Sequence, residues 1–96
     1  MEYAAFLARV GGVVQGVGFR YFTYREATTL DLTGYVKNLI DGRVEIFSEG
    51  PKSSLQEFIK IIRIGPRFGY VKDIEIEWLP YEKKYEKFSI SHDYGY

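Results

Sequence analysis

The chain has 96 residues, 46% of them apolar, and its 13 Lys and Arg balance 13 Asp and Glu. That is the length of one domain, residues 1–96, with enough apolar side chains to exclude a disordered chain. Zero net charge argues against a general nucleic-acid binder. The absence of Cys excludes disulfides, thiol catalysis and thiolate metal sites, and a lone His, His92, excludes a multi-histidine metal centre.

Ala4 to Ala8 is a short apolar run between Glu2 and Arg9, below the ~7–15 residues of a secretory core. Nothing approaches the ~20 apolar residues of a membrane span, so a soluble cytoplasmic protein is expected. The chain has two Gln and one Asn, Asn38, and scarcity of amides is one habit of heat-adapted proteins.

Residues 3–10 form an apolar run that predicts a strand, and Gly11 and Gly12 end the strongest part of it. Residues 13–20 are punctuated by Gly16 and Gly18 and read as a turn. From Phe19 the spacing of Phe19, Phe22, Ala27 and Leu30 predicts a helix. Residues 33–39 predict a second strand, packed through Tyr35, Val36 and Leu39. Asp41-Gly42 then predicts a type I′ hairpin, with positive φ at both central positions. The returning strand, 43–49, alternates Val44, Ile46 and Ser48 against Arg43, Glu45, Phe47 and Glu49, until Gly50-Pro51 breaks it. Ser54 and Glu57 fit a capping box on a helix with Leu55, Phe58, Ile59 and Ile62 on one face, closed by Gly65-Pro66. Ile74, Ile76 and Trp78 alternate with acidic residues as a fourth strand. A polar loop over 80–86 leads to Phe88 and Ile90, a short fifth strand at a sheet edge.

The order β-α-β-β-α-β plus a terminal strand is the ferredoxin-like split βαβ arrangement. The expected fold is therefore α+β, an antiparallel sheet with two helices packed on one face. That order alone fixes no function.

The glycine-rich turn runs from a strand to a helix N-terminus, where backbone N–H groups lack intrahelical partners and favour an anion. Arg20 stands at the helix start, and its planar fork can hold two phosphate oxygens at once. Neither the P-loop nor the dinucleotide pattern fits: the position for the P-loop lysine is Val17, and that for the third dinucleotide glycine is Tyr21. From spacing alone the turn is a tight corner or an anion site, and Asn38 is foremost a turn residue before Asp41-Gly42.

Residues 12–20, Gly-Val-Val-Gln-Gly-Val-Gly-Phe-Arg, resemble the acylphosphatase signature Gly-x-Val-Gln-Gly-Val-x-Phe-Arg. Residues 34–45, Gly-Tyr-Val-Lys-Asn-Leu-Ile-Asp-Gly-Arg-Val-Glu, are similar to that family's second signature, and the resemblance extends over 4–91. It implies hydrolysis of an acyl phosphate to carboxylate and phosphate, with no cofactor or metal. By that resemblance Arg20 is catalytic and binds the phosphoryl oxygens beside the amides of Gln15, Gly16, Val17, Gly18 and Phe19, and Asn38 orients the attacking water. The implied partner is a small acyl phosphate, without nucleic acid or membrane, and the chain is expected to act as a monomer. A non-catalytic module holding a phosphorylated metabolite such as carbamoyl phosphate is the alternative.

An RNA-binding domain of the same topology would need a third strand rich in Gly and aromatics. Here Arg43-Val44-Glu45-Ile46-Phe47 puts Glu where stacking is wanted. The aromatics are assigned to core and edge packing, Lys83-Lys84 to a solvated loop, and His92 to an exposed tail. In similar chains the terminal carboxylate, just past the last strand, can hold the arginine. Six residues follow Ile90 here, so Asp93, an earlier backbone carbonyl or a folded-back tail is expected to take that role.

Overall fold

The computed structural model describes residues 1–92, and Asp93, offered above as a partner for Arg20, lies outside them. Seven elements follow in order: β1 (Tyr3–Val13), α1 (Phe19–Thr29), β2 (Thr33–Asn38), β3 (Val44–Pro51), α2 (Lys52–Ile64), β4 (Tyr70–Leu79) and β5 (Phe88–Ile90). The sheet order is β4-β1-β3-β2-β5. The first four of these are antiparallel neighbours, whereas β5 joins β2 in parallel, pairing Gly34 with Phe88 and Val36 with Ile90. The ferredoxin-like α+β fold is as expected, with a mixed sheet because the last strand adds at the edge in the opposite sense.

Strand alternation sorts the residues onto two faces. Phe6, Ala8 and Val10 of β1, Val36 of β2, and Val44 and Ile46 of β3 meet Phe19 and Ala27 of α1 and Leu55, Phe58 and Ile62 of α2 in one core. α2 buries the four residues its periodicity selects: Leu55, Phe58, Ile59 and Ile62. α1 buries Phe19, Thr23 and Ala27, and Phe22 and Leu30 are only partly covered. The i, i+4, i+8 row wins over the predicted face because α1 packs near the sheet edge, on β2 and β5.

Three local expectations need correction. β1 runs past Gly11 and Gly12, since β4 extends far enough to pair with them across a register shift. β3 continues through Gly50 to Pro51, which pairs with Tyr3 at the start of β1. The helix behind it then starts at Lys52 with Pro51 as N-cap and no side-chain cap, so Ser54 and Glu57 form no capping box. Backbone does the capping: the Lys52 N–H donates to the Glu2 carbonyl at 2.9 Å.

The β2–β3 hairpin also departs from type I′. Only Gly42 has positive φ, at 96°, and Asp41 does not. Leu39 and Arg43 close a three-residue loop: the Leu39 N–H donates to the Arg43 carbonyl and the Gly42 N–H to the Leu39 carbonyl. Such loops need one glycine-like position rather than two. Asp41 accepts from the Arg43 backbone N–H at 3.1 Å and its side chain at 2.8 Å. Those contacts hold the Asp41 carboxyl below its usual range, the backbone hydrogen bond first.

Over β3 the sheet face away from the helices is covered as well. Glu45 and Glu49, which the alternation sets opposite Val44 and Ile46, are 4% and 1% exposed. Glu45 accepts from Tyr35 Oη at 2.7 Å and Arg9 Nε at 3.2 Å, with Lys37 Nζ at 3.7 Å. Glu49 accepts from the backbone N–H groups of Glu82 and Lys84 at 2.9 and 2.8 Å. The polar loop between β4 and β5 is thus a strap rather than a free loop. Tyr85 packs its ring on Phe47 and Tyr35, and Lys84 Nζ lies over the Phe47 ring.

Candidate active site

The site begins where β1 ends. Gly16 and Gly18 take positive φ, 75° and 78°, a region L side chains rarely enter. A Cβ at either would meet nothing within 4 Å, so it is the conformation that asks for glycine there. The turn delivers Gly18 as N-cap of α1, and the first helical bond runs from the Phe22 N–H to the Gly18 carbonyl at 3.0 Å. The preceding N–H groups of the first turn lack intrahelical partners. No acidic side chain stands in that turn to compete for them.

Beside this N-terminus is a cavity of about 230 Å³, several times the ~30 Å³ share of one water. Of the residues selected from the sequence, Gly16, Gly18, Phe19, Arg20 and Asn38 line it. Gln15 and Val17 do not. The Gln15 side chain turns to the hairpin instead, donating through Nε2 to the carbonyls of Leu39 and Arg43 at 2.8 and 2.9 Å. Val17 packs against the core. Gln15 thereby ties the glycine turn to the loop that follows Asn38.

Asn38 ends β2 on the same face as Val36, towards the helices. It is 5% exposed, and its Oδ1 is buried with no hydrogen-bond partner among the described residues. An acceptor left in that state costs about 1–3 kcal/mol. Arg20 Nη1 donates to the Ser91 carbonyl at 3.2 Å. Ser91 is itself anchored, its N–H donating to the Val36 carbonyl at 2.9 Å. Of the expected holders of Arg20, the backbone carbonyl just past the last strand is the one that falls among the described residues. Of the five donors that a guanidinium carries, this bond uses one.

Tyr21, Val14, Ile90 and His92 also line the cavity and were not selected from the sequence. His92 is exposed, as expected of a tail residue, yet it sits at this cavity. Its position follows from the parallel pairing of β5 with β2, which brings the end of the described chain back to Asn38. No local sequence signal reports such a pairing.

Fold and cavity together define a small α+β protein with a glycine-turn cavity at a helix N-terminus. The Acylphosphatase family model matches residues 6–90. An acylphosphatase of Caldanaerobacter subterraneus is 46% identical over 82 residues, covering 85% of this chain and 91% of the relative. The crystal structure of acylphosphatase from Bacillus subtilis superposes with a TM-score of 0.90 at 43% identity, covering 93% of this chain and 99% of that one. Full-length HypF, solved in a phosphate- and nucleotide-bound form, gives 0.88 at 30% identity, over 97% of this chain but 12% of that one.

The chain belongs to the acylphosphatase family. It is an enzyme of the kind that hydrolyses small acyl phosphates. Among the described residues no helix is long and apolar enough to cross a membrane.

Proposed function

We propose that this chain hydrolyses acyl phosphates without a metal ion, in the cavity between the α1 N-terminus and the end of β2. The observation that supports this best is one shared cavity, lined by Arg20 and by Asn38, whose amide oxygen has no partner among the described residues. Arg20 and the amides of residues 15–19 take the phosphoryl oxygens. The Asn38 amide holds the attacking water, accepting through its oxygen and donating through its nitrogen. Its contribution is geometric, because an amide is no base near neutrality.

Water attacks phosphorus as the bond between phosphorus and the acyl oxygen breaks, giving carboxylate and inorganic phosphate. The leaving carboxylate is stable as an anion and needs no protonation. Phosphoryl transfer asks chiefly for position and charge stabilisation, which an arginine and a set of amides supply. The chain acts as a cytoplasmic monomer on this reading. The test is hydrolysis of acetyl phosphate with excess chelator present. Undiminished turnover with competitive inhibition by inorganic phosphate is expected, and turnover that requires added divalent metal contradicts the reading.

A further inference from the structure

We infer that Gln15 is a positioning residue of this site: its side chain sets where Asn38 stands relative to the glycine turn, and so governs turnover more than phosphate binding. The inference rests on the water-holding role proposed for Asn38. The two halves of the site come from strands that are not neighbours. In the sheet order β4-β1-β3-β2-β5, β3 separates β1, which leads into the glycine turn, from β2, which ends in Asn38. Ladder hydrogen bonds therefore do not join one half directly to the other. The Gln15 side chain does, donating through Nε2 to the carbonyls of Leu39 and Arg43 at 2.8 and 2.9 Å.

Both acceptors adjoin the last rung of the β2–β3 ladder. Leu39 follows Asn38, and Arg43 precedes Val44, which pairs with Asn38. An amide meets two carbonyl oxygens only through its nitrogen, and here both hydrogens of that nitrogen are spent. The side chain is thereby fixed in orientation as well as in place. Each carbonyl also takes a backbone donor, Leu39 N–H at Arg43 and Gly42 N–H at Leu39, so the hairpin loop closes without Gln15. What Gln15 adds is the placement of that loop, and of Asn38 beside it, against the turn. Gln15 does not line the cavity, and it acts through Asn38 rather than on the substrate. A shift of ~1 Å in a group that orients a reactant can cost ~10² in rate.

The experiment measures kcat for acetyl phosphate and Ki for inorganic phosphate in full-length wild type, Gln15→Met, Asn38→Ala and the double variant, per folded molecule by circular dichroism. Gln15→Met keeps the side-chain length and the backbone N–H of residue 15 but removes both donors. It should lower kcat about tenfold. The phosphate Ki should stay within about twofold, because Arg20 and the turn amides are unaltered. Gln15→Glu, of the same shape but facing both carbonyls with oxygen, should show the same split. A Ki that rises in step with the fall in kcat overturns the proposal, since a glutamine needed only for the shape of the turn would act that way. In the Asn38→Ala background, Gln15→Met should change kcat less than about twofold, because effects that act through one group do not add. A further tenfold loss there, or wild-type kcat in folded Gln15→Met, also overturns it. Wild-type kcat in Asn38→Ala strikes the water-holding role first, whereas a slow Asn38→Ala beside a normal Gln15→Met removes the role of Gln15 alone.

Discussion

On the helix side of β3, Val44, Ile46 and Ser48 lie beneath α2, and Val44 and Ile46 join an apolar core. On the other side Glu45, Phe47 and Glu49 are nearly as buried, but under Tyr35, Arg9, Lys37 and the strap between β4 and β5. The first face gains stability from apolar area removed from water, roughly 25 cal/mol per Å². The second encloses two carboxylates, which is tolerable only because each oxygen finds a donor. The cavity opens at the margin of the first face, where α1 begins and β2 ends. The molecule thus keeps this cavity and its buried carboxylates on opposite sides of one sheet.

That separation can be broken most forcefully at the cavity. Arg20→Ala and Asn38→Ala are each expected to cost at least ~10² in hydrolysis rate, the scale of losing one transition-state donor, while Tm stays within a few degrees. A variant that lost activity only by unfolding would erase the distinction between the faces.

Glu49→Ala is the converse. It strands the Glu82 and Lys84 N–H groups that hold the strap, and should cost about 2–3 kcal/mol in chemical denaturation. The hydrolysis rate per folded molecule should stay near wild type. A large kinetic defect in the folded protein would show that the strap controls the chemistry across the sheet.

The smallest effect is expected at Tyr35, where losing the bond to Glu45 should cost about 1–2 kcal/mol in Tyr35→Phe. This residue also has a pH signature. Burial first, then the hydrogen bond and charge of Glu45, raise the Tyr35 hydroxyl above its ordinary range. The folded state therefore keeps a proton that the unfolded chain releases near pH ~10. Stability from this group is complete below that pH and declines as pH rises above it. Denaturant midpoints of wild type should fall between about pH 9 and 11 more steeply than those of Tyr35→Phe. Parallel curves would remove Tyr35 from the alkaline response.

The sequence carries the helix-facing side of this structure better than the outer side. Leu55, Phe58, Ile59 and Ile62 announce α2 because one helical face meets one sheet. Alternation in β3 correctly separates Val44 and Ile46 from Glu45 and Glu49, but it says nothing of what covers the second set. Their partners include Glu82 and Lys84, more than thirty residues away, and a two-residue period holds no long-range information. Thr23 is buried where a polar residue argues for exposure, and its hydroxyl has no partner among the described residues.

The site divides in the same way. The glycine turn and Arg20 are local features, a strand, two glycines and a helix start, which by spacing alone make either a tight corner or an anion site. Asn38 alone is a turn residue, and only its place in a longer motif suggests chemistry. Ser91 and His92 are hidden because the parallel pairing of β5 with β2 brings them in from the far end of the chain. The type I′ expectation failed for a related reason. Asp-Gly signals a tight hairpin, but the pairing of Leu39 with Arg43 makes the loop three residues long.

The central claim is that Arg20 and Asn38, sharing one cavity, carry acyl phosphate hydrolysis. Its most direct measurement is the rate of acetyl phosphate hydrolysis by Arg20→Ala and Asn38→Ala in chelator, with folding checked by circular dichroism. Folded variants slower than wild type by at least ~10² are expected. Near-wild-type turnover by either folded variant would contradict the assignment.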